Sequence, residues 1–358
     1  MTPAPRSVLL TPNLNGADGV SRLSRQIASA LEAPVVTVSL HDPSSRTRDL
    51  RSAGGNRLRL VADALTLGLS CDRTTTIVCS HAHLAPLARL MAWRGAAVTY
   101  VLCGIEAWVP LRFAERAALQ TGRLLAISAH TAREFKAANP SFANVPIEVC
   151  HPGLPARSDD PSGEPGDPAA LIVGRMSSSE AYKGHEQLLH LWPRVLERHP
   201  GAELWIVGDG DDRSRLQALA SQLGVRRKVT FTGRVSDGEL DRRYRRCRFF
   251  VMPSRHEGFG FVFVEAMRAG KACIGAPGAA AEIIQHGVTG LIADPLRGDE
   301  LYAAIIQLFD DPAQCAAFGR AGAARFQAEF SAARFAARFA ARVPLGRPVT
   351  APLNRAAS

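Results

Sequence analysis

The chain has no Cys-x-x-Cys pair, and its seven cysteines, at positions 71, 79, 103, 150, 247, 273 and 315, are odd in number. That pattern argues against a zinc knuckle or a paired disulfide framework, so the thiols are expected to be free in a reducing compartment. The N-terminus lacks the charged, apolar and small-residue order of a secretory signal, and no apolar run approaches the ~18 residues that span a bilayer. The expectation is a cytoplasmic protein, soluble or peripheral on the inner face of the cell membrane. A disordered composition is missing too, since 46% of residues are hydrophobic and 21% charged, ordinary globular values. At 358 residues there is room for two domains with separate cores.

Acidic residues are the scarcer charge, 33 against 43 Lys and Arg, for a formal net charge of +10. An excess of this kind favours polyanionic company: nucleotide diphosphates, acidic lipid headgroups or nucleic acid. The run Arg242, Arg243, Arg245, Arg246 and Arg248 has no aromatic stacking platform beside it. It reads as a solvated helix face, and no nucleic-acid partner is expected.

What is present centres on Ser254 to Gly270, SRHEGFGFVFVEAMRAG. The apolar run before it, closed by Pro253, predicts a buried strand of a parallel sheet, and Glu265 to Gly270 predicts a helix with a C-cap glycine. Gly258 and Gly260 bracket Phe259 in the turn between them, where backbone N–H groups can approach a ligand closely. Glu257 in the turn and Glu265 on the helix can border one crevice and grip sugar hydroxyls; taken singly, either is an ordinary solvated or helix-favouring acid.

The remaining chain repeats a strand, loop and helix rhythm. Ser7 to Thr11 is a strand, Pro12 to Gly19 a turn-rich loop, and Leu23, Ile27, Ala30 and Leu31 recur at helical spacing. Further strands are expected at 35–40, 76–79 and 97–102, with an apolar helix from Leu84 to Trp93 that is read as packed in the interior rather than lying on a membrane. His81 and His83 have no partner at metal-ligand spacing and read as hydrogen-bonded rim residues. Residues 154–170 are rich in Pro, Gly, Asp and Ser, as linkers are. Beyond them Ala170 to Val173 restarts the rhythm, followed by Gly174-Arg175 and later Lys183-Gly184, two cations that can converge on a diphosphate. Asp209-Gly-Asp211 follows a strand and reads as a structural turn, so no metal is assigned.

The pattern E-G-F-G-x(4)-E-A-M-x-x-G from Glu257 to Gly270, preceded by Met252-Pro-Ser254 and followed by Ala280 to Leu291, resembles the acidic motif of retaining GT-B glycosyltransferases of family 4, among the group 1 glycosyltransferases. G-R-x(7)-K-G at Gly174, Arg175, Lys183 and Gly184 matches the same family. The resemblance implies an α/β fold of two doubly wound Rossmann-like domains facing across a cleft, with a C-terminal helix crossing back to the first. The corresponding boundaries are 1–155 for the acceptor side, 156–330 for the nucleotide-sugar side, 331–345 for the crossover helix, with Ser331 a candidate N-cap, and 346–358 for a disordered tail. It further implies a metal-independent hexosyltransferase with no cofactor beyond its co-substrate, a nucleotide diphosphate sugar. The acceptor would be a saccharide or lipid-linked hydroxyl at an anionic membrane surface, in cell-surface polysaccharide or glycolipid synthesis.

By the same resemblance Arg175 and Lys183 hold the diphosphate, Gly19, Gly174 and the backbone of Gly258, Phe259 and Gly260 line it, and Arg234 and Val235 meet the base. Glu257 binds the donor sugar and Glu265 the ribose; with Arg175 and Lys183, Glu257 and Cys103 complete the candidate catalytic positions. Two positions depart from the family. Asp18 stands where a loop glycine is usual and would repel an anion unless turned away. Cys103 stands where a histidine is usual and does not match its proton-carrying pKa, so the base is His83, Glu106 or the departing phosphate itself. The rival functions are a nucleotide-sugar epimerase and a catalytically silent nucleotide-sugar-binding protein.

Overall fold

The computed structural model describes residues 5–16, 18–156, 167–297 and 299–343. The tail expected from 346 and most of the linker, 157–166, lie outside the described residues. The chain divides into two compact units, Met1–Gly153 with Ala332–Ser358, and Leu154–Ser331.

In the first unit, strands β1 (Ser7–Thr11), β2 (Val35–Ser39), β3 (Ser45–Arg46), β4 (Leu50–Ser52), β5 (Thr76–Cys79), β6 (Ala97–Leu102), β7 (Arg123–Ala126) and β8 (Ile147–Val149) form one sheet in the order β3-β4-β2-β1-β5-β6-β7-β8. All neighbours are parallel except β3 and β4. A parallel sheet needs cover on both faces, and every residue of β1 and β5 is buried. Val8, Leu10, Ile77 and Cys79 face one core, together with Leu60, Ala64 and Leu67 of α2 (Arg57–Gly68), Leu87 and Met91 of α3 (Ala85–Met91), Leu119 of α4 (Phe113–Leu119) and Phe135 of α5 (Ala129–Ala138). On the alternate positions α1 (Gly19–Ala30) packs against β1 and against the C-terminal helix Ala332–Arg342, where Phe335 and Phe339 are buried side by side with ring centres 5.4 Å apart.

The second unit has its own sheet: β9 (Ala169–Val173), β10 (Glu203–Val207), β11 (Val229–Gly233), β12 (Phe249–Met252), β13 (Ala272–Gly275) and β14 (Gly290–Ile292), all parallel, in the order β11-β10-β9-β12-β13-β14. The helices between these strands are α6 (His185–Arg198), α7 (Arg213–Gln222), α8 (Asp237–Arg246), α9 (Phe261–Arg268) and α10 (Ala280–Ile283), followed by α11 (Glu300–Asp310) and α12 (Pro312–Arg325). Phe249, Trp192 and Phe309 pack edge to face with ring centres 4.9 and 6.4 Å apart and tie β12, α6 and α11 into one core.

The strand order reverses direction between β9 and β12. In doubly wound sheets a crevice opens at that reversal, beyond the carboxyl ends of the strands. The loop carrying Arg175 leaves β9 there and the loop carrying Glu257 leaves β12 beside it.

Candidate active site

Three of the four charged residues singled out by sequence meet at this reversal point. Lys183 Nζ lies 3.4 Å from Glu257 Oε1 and 3.7 Å from Glu180 Oε2. Arg175 Nη2 lies 3.0 Å from Glu180 Oε1. Glu180 therefore joins Arg175 to Lys183, and Lys183 joins Glu180 to Glu257. The Lys183, Glu180 and Glu257 side chains are each 17% exposed, whereas Arg175 is 63% exposed and can swing.

Local structure explains the convergence. Residues 178–183 form a tight 3-10 turn ended by Gly184, whose φ of 91° is left-handed. Any Cβ at Gly184 would collide with the Pro253 ring, so a glycine lets the Lys183 loop lie directly on the end of β12. The rings of Tyr182 and His256, 5.5 Å apart, join the same two loops. Buried Ser254 donates from Oγ to Glu257 Oε1 over 3.1 Å and fixes that carboxylate at the loop base.

Glu180 is the member that sequence reasoning missed. It lies between the two matched positions Arg175 and Lys183, but nothing in spacing or composition marks it, because its role arises from the 3-10 turn. Its buried Oε2 and the buried Nε2 of His185 have no hydrogen-bond partner among the described residues. Burial, then the charge of Lys183, lowers the His185 pKa to about 4 and leaves the ring neutral.

Glu265 stands deeper. It is the fifth residue of α9, 5% exposed, and its Oε2 accepts from the Tyr244 hydroxyl at 2.8 Å. Burial, reinforced by the Glu265 charge, pushes the Tyr244 pKa well above its usual value, so the phenol remains a donor. Tyr244→Phe takes this donor from a buried carboxylate and is expected to cost about 1–3 kcal/mol, read as a lower urea midpoint at unchanged slope.

Gly258, Phe259 and Gly260 form the turn into α9, with the Phe259 ring buried 6.0 Å from that of Phe330. Gly174 directly follows β9. Exposed Arg234 and half-buried Val235 follow the edge strand β11, on the same carboxyl edge.

Gly19 and Cys103 belong to the first unit. Asp18 is the N-cap of α1: its carboxylate accepts from Ser21 N at 2.9 Å and from Ser21 Oγ at 2.8 Å. Burial alone would raise its pKa, but these bonds outweigh it and hold the value below the ordinary one. The side chain that replaces the loop glycine is thus committed to its own helix.

Cys103 is buried and donates from Sγ to Ser80 O over 3.0 Å; burial pushes its pKa well above the usual thiol value. It stays protonated and offers no base. Nearby, Glu106 accepts from Cys103 N at 2.9 Å, and His83 Nδ1 pairs with Glu115 Oε1 at 2.8 Å. Burial, then the neighbouring His83, lowers the His81 pKa to about 4.

Comparisons with known proteins bear on the family and the fold. Residues 157–325 match the model for glycosyl transferases group 1, a segment that holds Arg175, Lys183, Glu257 and Glu265. The matched segment is a little under half of the chain. Among its relatives, a GDP-mannose-dependent alpha-(1-6)-phosphatidylinositol monomannoside mannosyltransferase of Mycobacterium tuberculosis is 29% identical over 333 residues, covering 87% of this chain and 82% of that protein. An uncharacterized glycosyltransferase of Methanocaldococcus jannaschii is 39% identical over 142 residues, covering 39% of this chain and 35% of that one, so the match spans about a third of the latter. The structure of Anabaena HepE in complex with UDP and glucose aligns at a TM-score of 0.76 with 18% identity, covering 94% of this chain and 98% of that chain. The chain has the GT-B fold expected from its motifs.

Proposed function

We propose that the protein transfers a hexose from a nucleotide diphosphate sugar to an acceptor hydroxyl with retention at the anomeric carbon and without a metal ion. The observation that carries this is the chain of ion pairs from Arg175 through Glu180 and Lys183 to Glu257 at the sheet reversal. Two cations held on carboxylates at that place suit an incoming pyrophosphate, which exchanges one set of negative oxygens for another.

In the transfer the bond from the anomeric carbon to phosphate oxygen breaks, the bond to the acceptor oxygen forms, and the acceptor proton passes to the departing phosphate. Cys103 has no part as a base in this scheme. Glu257 binds the donor sugar, and Glu265 the ribose through rotation away from Tyr244 or through its second oxygen. The mannosyltransferase relatives act, by name, on phosphatidylinositol mannosides. They support a lipid-linked or saccharide acceptor at the inner membrane face, in glycolipid or cell-surface polysaccharide synthesis.

The test incubates purified protein with GDP-mannose, UDP-glucose and related donors, with and without acceptor extract, in buffer containing EDTA. Acceptor-dependent release of nucleotide diphosphate, and a product with the donor's anomeric configuration by proton coupling, are expected. Sugar isomerisation without release would instead identify an epimerase, and saturable binding with neither a silent binding protein.

A further inference from the structure

The two carboxylates of the ion-pair chain are held in different ways. Glu257 has an anchor besides its cation, because buried Ser254 donates to its Oε1 over 3.1 Å. Glu180 rests on the cations alone. Arg175 Nη2 reaches its Oε1 at 3.0 Å, Lys183 Nζ stands 3.7 Å from its Oε2, and that buried Oε2 has no hydrogen-bond partner among the described residues. A shielded carboxylate oxygen without a donor is costly to keep, so charge is what keeps this one in place.

The loop that carries Glu180 is tied down on either side of it. Ser178 donates to Asp211 from N at 3.3 Å and from Oγ at 2.5 Å, and Gly184 lies against the Pro253 ring. Between these ties the two turns of residues 178–183 are joined at Glu180, whose φ of −119° and ψ of 28° leave the helical path. The side chain can swing at this joint while both turns, and with them Lys183, stay where they are.

A diphosphate seeks the same ammonium and guanidinium that Glu180 occupies. Two anions of one sign compete for these cations, and close approach of both in a partly shielded site is repulsive. We infer, resting on the donor reading proposed for this site, that Glu180 is a positioning residue that serves as an internal anion. It holds Arg175 and Lys183 in the free protein, yields them to the donor diphosphate, and takes them back as the nucleoside diphosphate leaves. Glu180 thereby weakens the binding of donor and product alike and speeds product release. A carboxylate that only aligned the two cations would have the opposite effect, since its removal would disorder them and weaken phosphate binding.

The experiment is calorimetric titration of the whole chain with UDP, GDP and inorganic pyrophosphate, followed by steady-state kinetics with the donor that turns over. E180Q keeps the shape and drops the charge. It is expected to bind pyrophosphate and the preferred nucleoside diphosphate roughly tenfold more tightly than wild type. KM for the donor and kcat are expected to fall together, leaving kcat/KM within about threefold of wild type. E180D keeps the charge and is expected to stay near wild-type affinity. In an R175A background the gain from E180Q is expected to shrink, because one of the two cations that Glu180 holds is gone. E180A is expected to show the same gain as E180Q and decides the matter if E180Q folds poorly. Wild-type protein that binds none of the three probes would remove the donor reading of the site, and the role of Glu180 with it. Binding in wild type that is unchanged or weaker in E180Q and E180A would overturn the role of Glu180 alone.

Discussion

Replacing Lys183 by alanine is expected to lower kcat/KM for the nucleotide-sugar donor by roughly 100- to 1,000-fold. Lys183 is the central member of the ion-pair chain, 3.4 Å from Glu257 and 3.7 Å from Glu180, and only 17% exposed. Its removal has two effects of the same sign: the donor diphosphate loses a counter-charge in a partly dry site, and two carboxylates are left without the cation between them. Arg175→Ala is expected to cost less, because that guanidinium is 63% exposed and competes with water. Lys183→Arg restores charge but not shape, since a forked guanidinium does not replace a compact ammonium between two carboxylates, and is expected to recover only part of the loss. Thermal melting of each variant separates the contributions. A Lys183→Ala protein that melts normally and keeps donor turnover within about threefold of wild type would remove the clamp from the mechanism.

The parts of this site that were legible from sequence are those where backbone geometry demands a residue type. Pro253 closing an apolar run marks the end of β12, and the glycine after Lys183 is required by the approach to that proline. Glu180 was not legible, because any polar residue suits a 3-10 turn and only tertiary structure turns this one toward Arg175 and Lys183.

Residues 41–75 show the same limit for the fold. Strands of two and three residues, β3 and β4, are too short to display alternation. Helix α2 hides its period by carrying leucine and valine on both faces, so the one-sided stripe that identifies an amphipathic helix is absent. That doubling, which obscured the helix in the sequence, is the same feature that leaves its outer face apolar. The aspartate at position 18 misleads in the opposite direction. It departs from a motif glycine yet serves as a helix cap, a role open to Asp on propensity alone.

Gly208→Ala is expected to cost about 3–5 kcal/mol of stability. Gly208 lies past the end of β10, in the acidic turn read from sequence as structural, with φ at 138°. A Cβ there would overlap the carbonyl of Gly174, so the substitution adds backbone strain to a collision with main chain that has no rotamer to change. Gly201→Ala is the matching control: nothing lies within 4 Å of a Cβ at that site, and its expected effect is within about 0.5 kcal/mol. The collision also points at function, because Gly174 carries Arg175 and its amide hydrogen-bonds Val207 O at 3.0 Å. Relief of the overlap moves the β9 loop away from β10 and with it the guanidinium that pairs with Glu180. Donor affinity measured at a temperature where Gly208→Ala remains folded is therefore expected to fall by roughly tenfold, since a displacement near 1 Å at a charged clamp is costly. A variant with wild-type urea midpoint and wild-type donor affinity would show that the β9 loop has slack that the packing of Gly174 against Gly208 does not contain.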